Sequence, residues 1–241
     1  MISRVNELAK LIKRESKKLT STDESRISVE VFDPFHVPDI PPFSATQVYS
    51  DESTGFTLHV GGVSVAMYKT HLQNHRVKAI LNCAAAQTAS TRRIIQASGN
   101  SLEGSGWDKV EFSQAWYACE LDDPSFMYLA ISAEDHSKFP LSDYFKDTSL
   151  FIQEARMRGY PILIHCMQGM NRSVAVTVAW MVSHGGHTLD SAIQHISSLR
   201  PHILSNRGFI KQLVTAFEPK DAVPVPITPS NFVVKDIIER I

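Results

Sequence analysis

The sequence predicts an α/β domain built on a mainly parallel central sheet with helices on both faces. Three observations predict it. Short apolar runs of strand length alternate with longer segments of helical period between residues 56 and 217, the order expected when crossover helices join parallel strands. PILIH at 161–165 is an unbroken apolar run closed by a histidine, as in a strand buried on both faces. Hydrophobic residues make up 43% of the 241 positions and charged residues 20%, enough apolar surface for a sizeable core.

Residues 3–19 read as an amphipathic helix. Val5, Leu8 and Ile12 share one face, while Arg4, Lys10, Lys13, Arg14, Lys17 and Lys18 lie elsewhere. Its basic face has two open readings: lysines solvated on a packed helix, or contact with an anionic membrane. STDESR at 21–26 is a polar break. Residues 33–44 carry Pro34, Pro38, Pro41 and Pro42 and read as an extended connection. FTLHVGG (56–62) is a strand ending in glycines, SVAMYKTHLQNH (64–75) a helix, and VKAILNCA (77–84) a short buried strand. Residues 86–109 are rich in Ser, Gly and Ala and read as an excursion with one helical turn. FMYLAI (126–131) is a further strand, and 141–159 is a helix ending at Gly159. After PILIH come helices over Arg172 to His184, Leu189 to Leu199 and Arg207 to Phe217. The last 23 residues are interrupted by proline and end in a short helix candidate, VVKDIIERI.

Composition narrows the function. Twenty-four basic and 25 acidic residues give a net charge of −1, which disfavours binding nucleic acid over the whole surface. Cys83, Cys119 and Cys166 are odd in number and fit no zinc spacing. No metal, cofactor or disulfide scaffold is expected. The expected compartment is reducing, cytoplasmic or nuclear. No apolar run reaches the length of a membrane span or of a signal-peptide core, and Ile2 excludes myristoylation.

The chemistry concentrates in His165-Cys166-Met167-Gln168-Gly169-Met170-Asn171-Arg172-Ser173, which leaves a buried strand and opens a helix. Loop amides and a helix N-terminus converge there to bind an anion. Arg172 lies six positions after Cys166, enough chain for one tight loop around a tetrahedral oxyanion. Gly169 can take the positive φ that turns amides inward. The helix dipole, the amides and Arg172 all favour thiolate at Cys166, and thiolate is the nucleophile. Arg172 can hold two phosphate oxygens through its planar fork. A lone cysteine at a strand end is commonly structural. The five fixed positions of H-C-x-x-G-x-x-R-S, at about 5% usage each, make a chance match about one in ten thousand.

This motif resembles the signature of the cysteine-dependent dual-specificity protein phosphatases, the small atypical VHR-like group in particular. LHVGGVSVAMYKTHLQNHRVKAILNCA, ISAEDHSKFPLSDYF and LRPHILSNRGFIKQL resemble further parts of that catalytic domain. The resemblance implies a protein tyrosine phosphatase-like fold. It also implies an N-terminal helix and linker at 1–39, a catalytic domain at 40–218 and a tail at 219–241. Thiolate attack on phosphorus needs an acid for the leaving oxygen. Asp122, Asp123, Glu134, Asp135, Asp143 and Asp147 are upstream candidates, and Glu134 and Asp135 sit where a strand ends at the ligand-binding edge of such sheets. The resemblance selects Asp135. It further implies that Ser173 assists the sulfur as leaving group, that His165 organises the loop and that Asn206 braces it. Ser173 as a first-turn cap and Asn206 as an N-cap stay open beside those roles.

Met167, Gln168, Gly169, Met170, Asn171 and Arg172 would surround the phosphate. None of the variable positions Met167, Gln168, Met170 and Asn171 is cationic. That favours a phosphorylated protein over inositol lipids or RNA 5′-phosphate, which stay as alternatives, as does a phosphate-binding adaptor without turnover. Cys83 ends the strand expected beside 161–165, so it is a candidate redox partner for Cys166, or a small buried apolar residue.

Overall fold

A computed structural model describes residues 1–21, 45–97 and 110–218. Its sheet has five strands: β1 (Ala45–Asp51), β2 (Phe56–Gly61), β3 (Ala79–Asn82), β4 (Met127–Ala130) and β5 (Ile162–His165), in the order β1-β2-β5-β3-β4. β2, β5, β3 and β4 run parallel, and β1 closes the edge antiparallel to β2. Register places Gly61, His165, Asn82 and Ala130 side by side. All four parallel strands therefore end at one level, and the loops that leave them share one edge.

The helices are α1 (Ile2–Ser21), α2 (Val63–Met67), α3 (Lys69–Asn74), α4 (Ala85–Ala97), α5 (Gln114–Glu120), α6 (Phe145–Met157), α7 (Arg172–Ser183), α8 (Leu189–Leu199) and α9 (Arg207–Phe217). Side chains alternate across the strands. Leu58, Val60, Leu81, Ile162 and Ile164 pack with residues of α6, α7 and α9, such as Ile152, Val178 and Phe209. Ile80 and Leu163 face the other way and pack with Val65, Leu72, Tyr117 and Phe126. α7 is the central helix, buried continuously from Arg172 to Met181. α1 lies on α8 and α9 through Leu8 and Ile12, with Lys10, Lys13, Lys17 and Lys18 exposed. No described helix is long and apolar enough to cross a membrane.

Two expectations are corrected, and two elements were missed. Residues 85–97 form α4, so the stretch from 86 is more than one helical turn. Ala, Arg, Ile and Gln in AAQTASTRRIIQA support that helix, and the Ser- and Gly-rich composition of the excursion comes from residues beyond it. The helix expected over 64–75 is two, split at Tyr68, whose extended backbone restarts the chain with its carbonyl accepting from both His71 and Leu72. β1 and α5 were not expected at all. Gly159 does end its helix region, at φ 66. The proline-rich 33–44, residues 98–109 and the tail 219–241 lie outside the described residues.

Candidate active site

β5 delivers Cys166 to the sheet edge, and the chain turns through 166–171 before entering α7. Gly169 makes the turn possible: it adopts φ 70, and a Cβ there would stand 2.5 Å from the Gly61 carbonyl. The carbonyls of 167–170 all accept hydrogen bonds from outside the loop. Met167 O accepts from Val63 N at 3.0 Å, Gln168 O and Gly169 O accept from the Arg200 guanidinium at 3.1 and 2.8 Å, and Met170 O accepts from Leu204 N at 2.9 Å. In a trans peptide the next N–H points the opposite way. The amides of 168–171 are therefore turned inward, forming a concave anion cradle.

Cys166 Sγ lies at the base of that cradle and is 1% exposed. Gly169 N donates to it at 3.2 Å and Ser173 Oγ lies 3.4 Å away. Burial pushes the thiol up, but the Arg172 charge, the Ser173 hydroxyl and the Ser173 and Gly169 amides outweigh it. The net result is a value below the ordinary thiol range. Arg172 is 3% exposed, and its Nη1 donates to Ala133 O at 3.0 Å and Gln87 Oε1 at 2.9 Å. Burial holds His165 near 4, so it is neutral. Its Nδ1 lies 3.3 Å from the Cys166 carbonyl, which only accepts, so that nitrogen carries the proton. His165 thus ties the loop to the strand.

Asp135 stands opposite, on the segment after β4. Asn171 Nδ2 donates to its Oδ2 at 3.0 Å and Asn206 Nδ2 to its Oδ1 at 2.9 Å, while Arg172 Nε is 4.0 Å away. α9 fixes the same segment further on: Gln212 accepts from Ser142 N and donates to Phe139 O. A cleft of about 520 Å³ opens beside Asp135, lined by His136, Ser137, Ser205 and Arg207. The other acid candidates are placed differently. Asp122 and Asp123 form a turn, with Asp123 held by Ser125 and Lys78. Asp143 lies on a 3-10 turn and Asp147 in the first turn of α6. Glu134 is exposed.

A family model described as the dual specificity phosphatase catalytic domain matches residues 58–218. The chain belongs to this family. Dual specificity protein phosphatase 1 of Arabidopsis thaliana is 40% identical over 88 residues, 36% of this chain and 44% of that protein. A protein phosphatase Slingshot homolog of Xenopus laevis is 38% identical over 90 residues, 37% of this chain and 13% of that protein. The chain thus spans less than half the length of either relative. Human DUSP28 superposes with a TM-score of 0.53 at 21% identity, covering 76% of this chain and 97% of that one. DUSP15 gives 0.53 at 19%, covering 82% and 96%. At that identity the likeness establishes the fold.

Within this dual specificity phosphatase domain the sequence-predicted residues converge, with refinements. The Asn171 side chain turns to Asp135 and accepts from Ser205 Oγ and Asn206 N, rather than facing the cradle. Asn206 combines both of its readings: Oδ1 caps α9 through Gly208 N, and its amide groups reach Asn171 and Asp135. Sequence reasoning missed Gln87 and Arg200. Gln87 sits on the helix read as an excursion. Arg200 is 1% exposed, lowered to about 10 by burial against the opposing pull of Cys166. Its signal in the sequence was an arginine before Pro201 at the end of a helix, which tells of no partner.

Proposed function

We propose that the chain hydrolyses phosphate monoesters on tyrosine and on serine or threonine of proteins, through a phosphocysteine. The observation that carries this is a lowered thiol at the base of an inward-turned amide cradle, faced by a fixed carboxyl group. Cys166 attacks phosphorus while the amides of 168–171 and Arg172 hold the equatorial oxygens. Asp135 gives a proton to the leaving oxygen, then takes one from the water that attacks the phosphocysteine. Ser173 hydrogen-bonds the departing sulfur. Protein substrate is supported by the names of the relatives and by the absence of a cationic side chain at Met167, Gln168, Met170 and Asn171.

Turnover of p-nitrophenyl phosphate and of a phosphopeptide panel tests the reading, with chelator present. The rate should survive chelation, and Cys166→Ser should abolish it while retaining phosphate binding. Asp135→Asn should lower kcat about 10²–10⁴-fold for an alkyl or poor aryl leaving group, and less for an activated one. Glu134→Gln should change little. Turnover lost to chelator, or surviving Cys166→Ser, contradicts the mechanism.

A further inference from the structure

The phosphate cradle is held from behind by the segment between α8 and α9, and that segment is itself held by α1. Arg200 binds the carbonyls of Gln168 and Gly169, Leu204 N binds Met170 O, and Ser205 Oγ and Asn206 N bind the Asn171 side chain. Four successive loop residues thus depend on one short connection.

That connection is strained. His202 and Leu204 are non-glycine residues at φ 58 and φ 51. L residues populate this region sparsely and stay there only where their surroundings hold them. The strain is also directional, because Leu204 in this conformation presents its N–H to the cradle.

The restraint on the far side comes from α1, outside the residues matched by the family model. Ser16, 8% exposed, accepts the His202 N–H at 3.1 Å. α1 is set in place at the other end by Arg4, which pairs with Glu218 after α9 and with Asp190 at the start of α8. Leu8 and Ile12 fill the space between. α1 therefore clasps the two helices that carry the strained connection and touches its apex through the Ser16 hydroxyl.

We propose that α1 is a positioning element for the phosphate cradle and that Ser16 is the residue through which it acts. Resting on the phosphatase reading, this makes anion affinity and turnover depend on the seating of α1. If Ser16 loses its oxygen, the hydrogen bond it accepts from the His202 N–H is lost. The connection can then relax, drawing Leu204 N and Arg200 away from the loop carbonyls.

The test uses the full chain. Ser16→Ala, Ser16→Thr and Arg4→Ala are compared with wild type for kcat, KM and competitive inhibition by inorganic phosphate, at a temperature where circular dichroism shows each folded. Ser16→Ala should weaken phosphate inhibition about 3- to 10-fold, the loss of one hydrogen bond, and lower kcat/KM in step. Arg4→Ala, acting from the other end, should do the same more weakly. Ser16→Thr should stay near wild type. If Ser16→Ala and Arg4→Ala lower only the melting temperature and leave phosphate inhibition and kcat unchanged, α1 is no more than a stabilising helix and the proposal is wrong. A wild type that neither binds phosphate nor turns over ester fails at the first measurement, which identifies the phosphatase reading as the fault.

Discussion

At the scale of single residues, Cys83 has the sharpest untested chemistry. It follows Asn82, which registers against His165, and its N–H donates to His165 O at 2.8 Å. The two strands therefore bring Cys83 and Cys166 to neighbouring places in one buried cluster. Burial, and then the charge of Cys166, hold Cys83 well above the ordinary thiol value. Peroxide should convert the Cys166 thiolate to a sulfenic acid, releasing hydroxide and removing that charge. Cys83 can then attack Cys166, forming the disulfide and releasing water. The expected outcome is a Cys83–Cys166 cross-link by peptide mass mapping, with activity restored by dithiol. Equal irreversible loss in wild type and Cys83→Ala would show Cys83 to be packing only. The proposed nucleophile and arginine were legible in a dense motif, whereas a strand end narrowed the proposed acid only to Glu134 or Asp135 and the family resemblance selected Asp135. Gln87 and Arg200 were not, since each acts through a partner more than 30 positions away and side-chain reach has no local signature.

At the scale of elements, α9 holds the segment that carries the proposed acid, Asp135. Asn206 holds Asp135, Gln212 holds the exit at Phe139 and Ser142, and between them Gly208 lies against Ser137. A Cβ on Gly208 would stand 2.1 Å from Ser137 O and 2.6 Å from its Cα, both backbone atoms. Gly208→Ala should therefore push the acid segment off α9 while leaving the cradle intact. We expect about a 10- to 100-fold loss of kcat with a poor leaving group, a part of the general-acid contribution, a smaller loss with a good one, and unchanged phosphate inhibition. Equal losses with both leaving groups would show that Asp135 has not moved. α8 and α9 start where the sequence placed them, because Thr188 and Asn206 cap their N-termini with side-chain acceptors and both have apolar stripes. β1 escaped because its inward residue, Val48, stands among half-exposed polar neighbours on an edge, where burial selects little.

At the scale of the whole molecule, the fold carries buried histidines that oppose acid. His59 on β2 is held near 4 by burial and by the His75 ring 4.9 Å away, and burial, with the Arg172 charge, puts His165 at a similar value against the hydrogen bond to the Cys166 carbonyl. Both are lowered in the folded state from an ordinary 6.5. The unfolded chain therefore binds more protons between about pH 6.5 and 4. Their contribution is fully present above pH 6.5 and is lost as pH falls toward 4. Each histidine adds up to about 1.4 kcal/mol per pH unit inside that window. Urea unfolding at pH 7, 6 and 5 should show a steep fall that His59→Gln makes shallower. A midpoint that stays constant from pH 7 to 5 would overturn this account. Thiolate chemistry and fold stability thus fail toward acid for different reasons. Protonation of Cys166 should remove the proposed activity at once with unchanged circular dichroism, while protonation of His59 should remove it only as the sheet is lost. Recording both signals across the same titration separates them, and His59→Gln should move the second without moving the first.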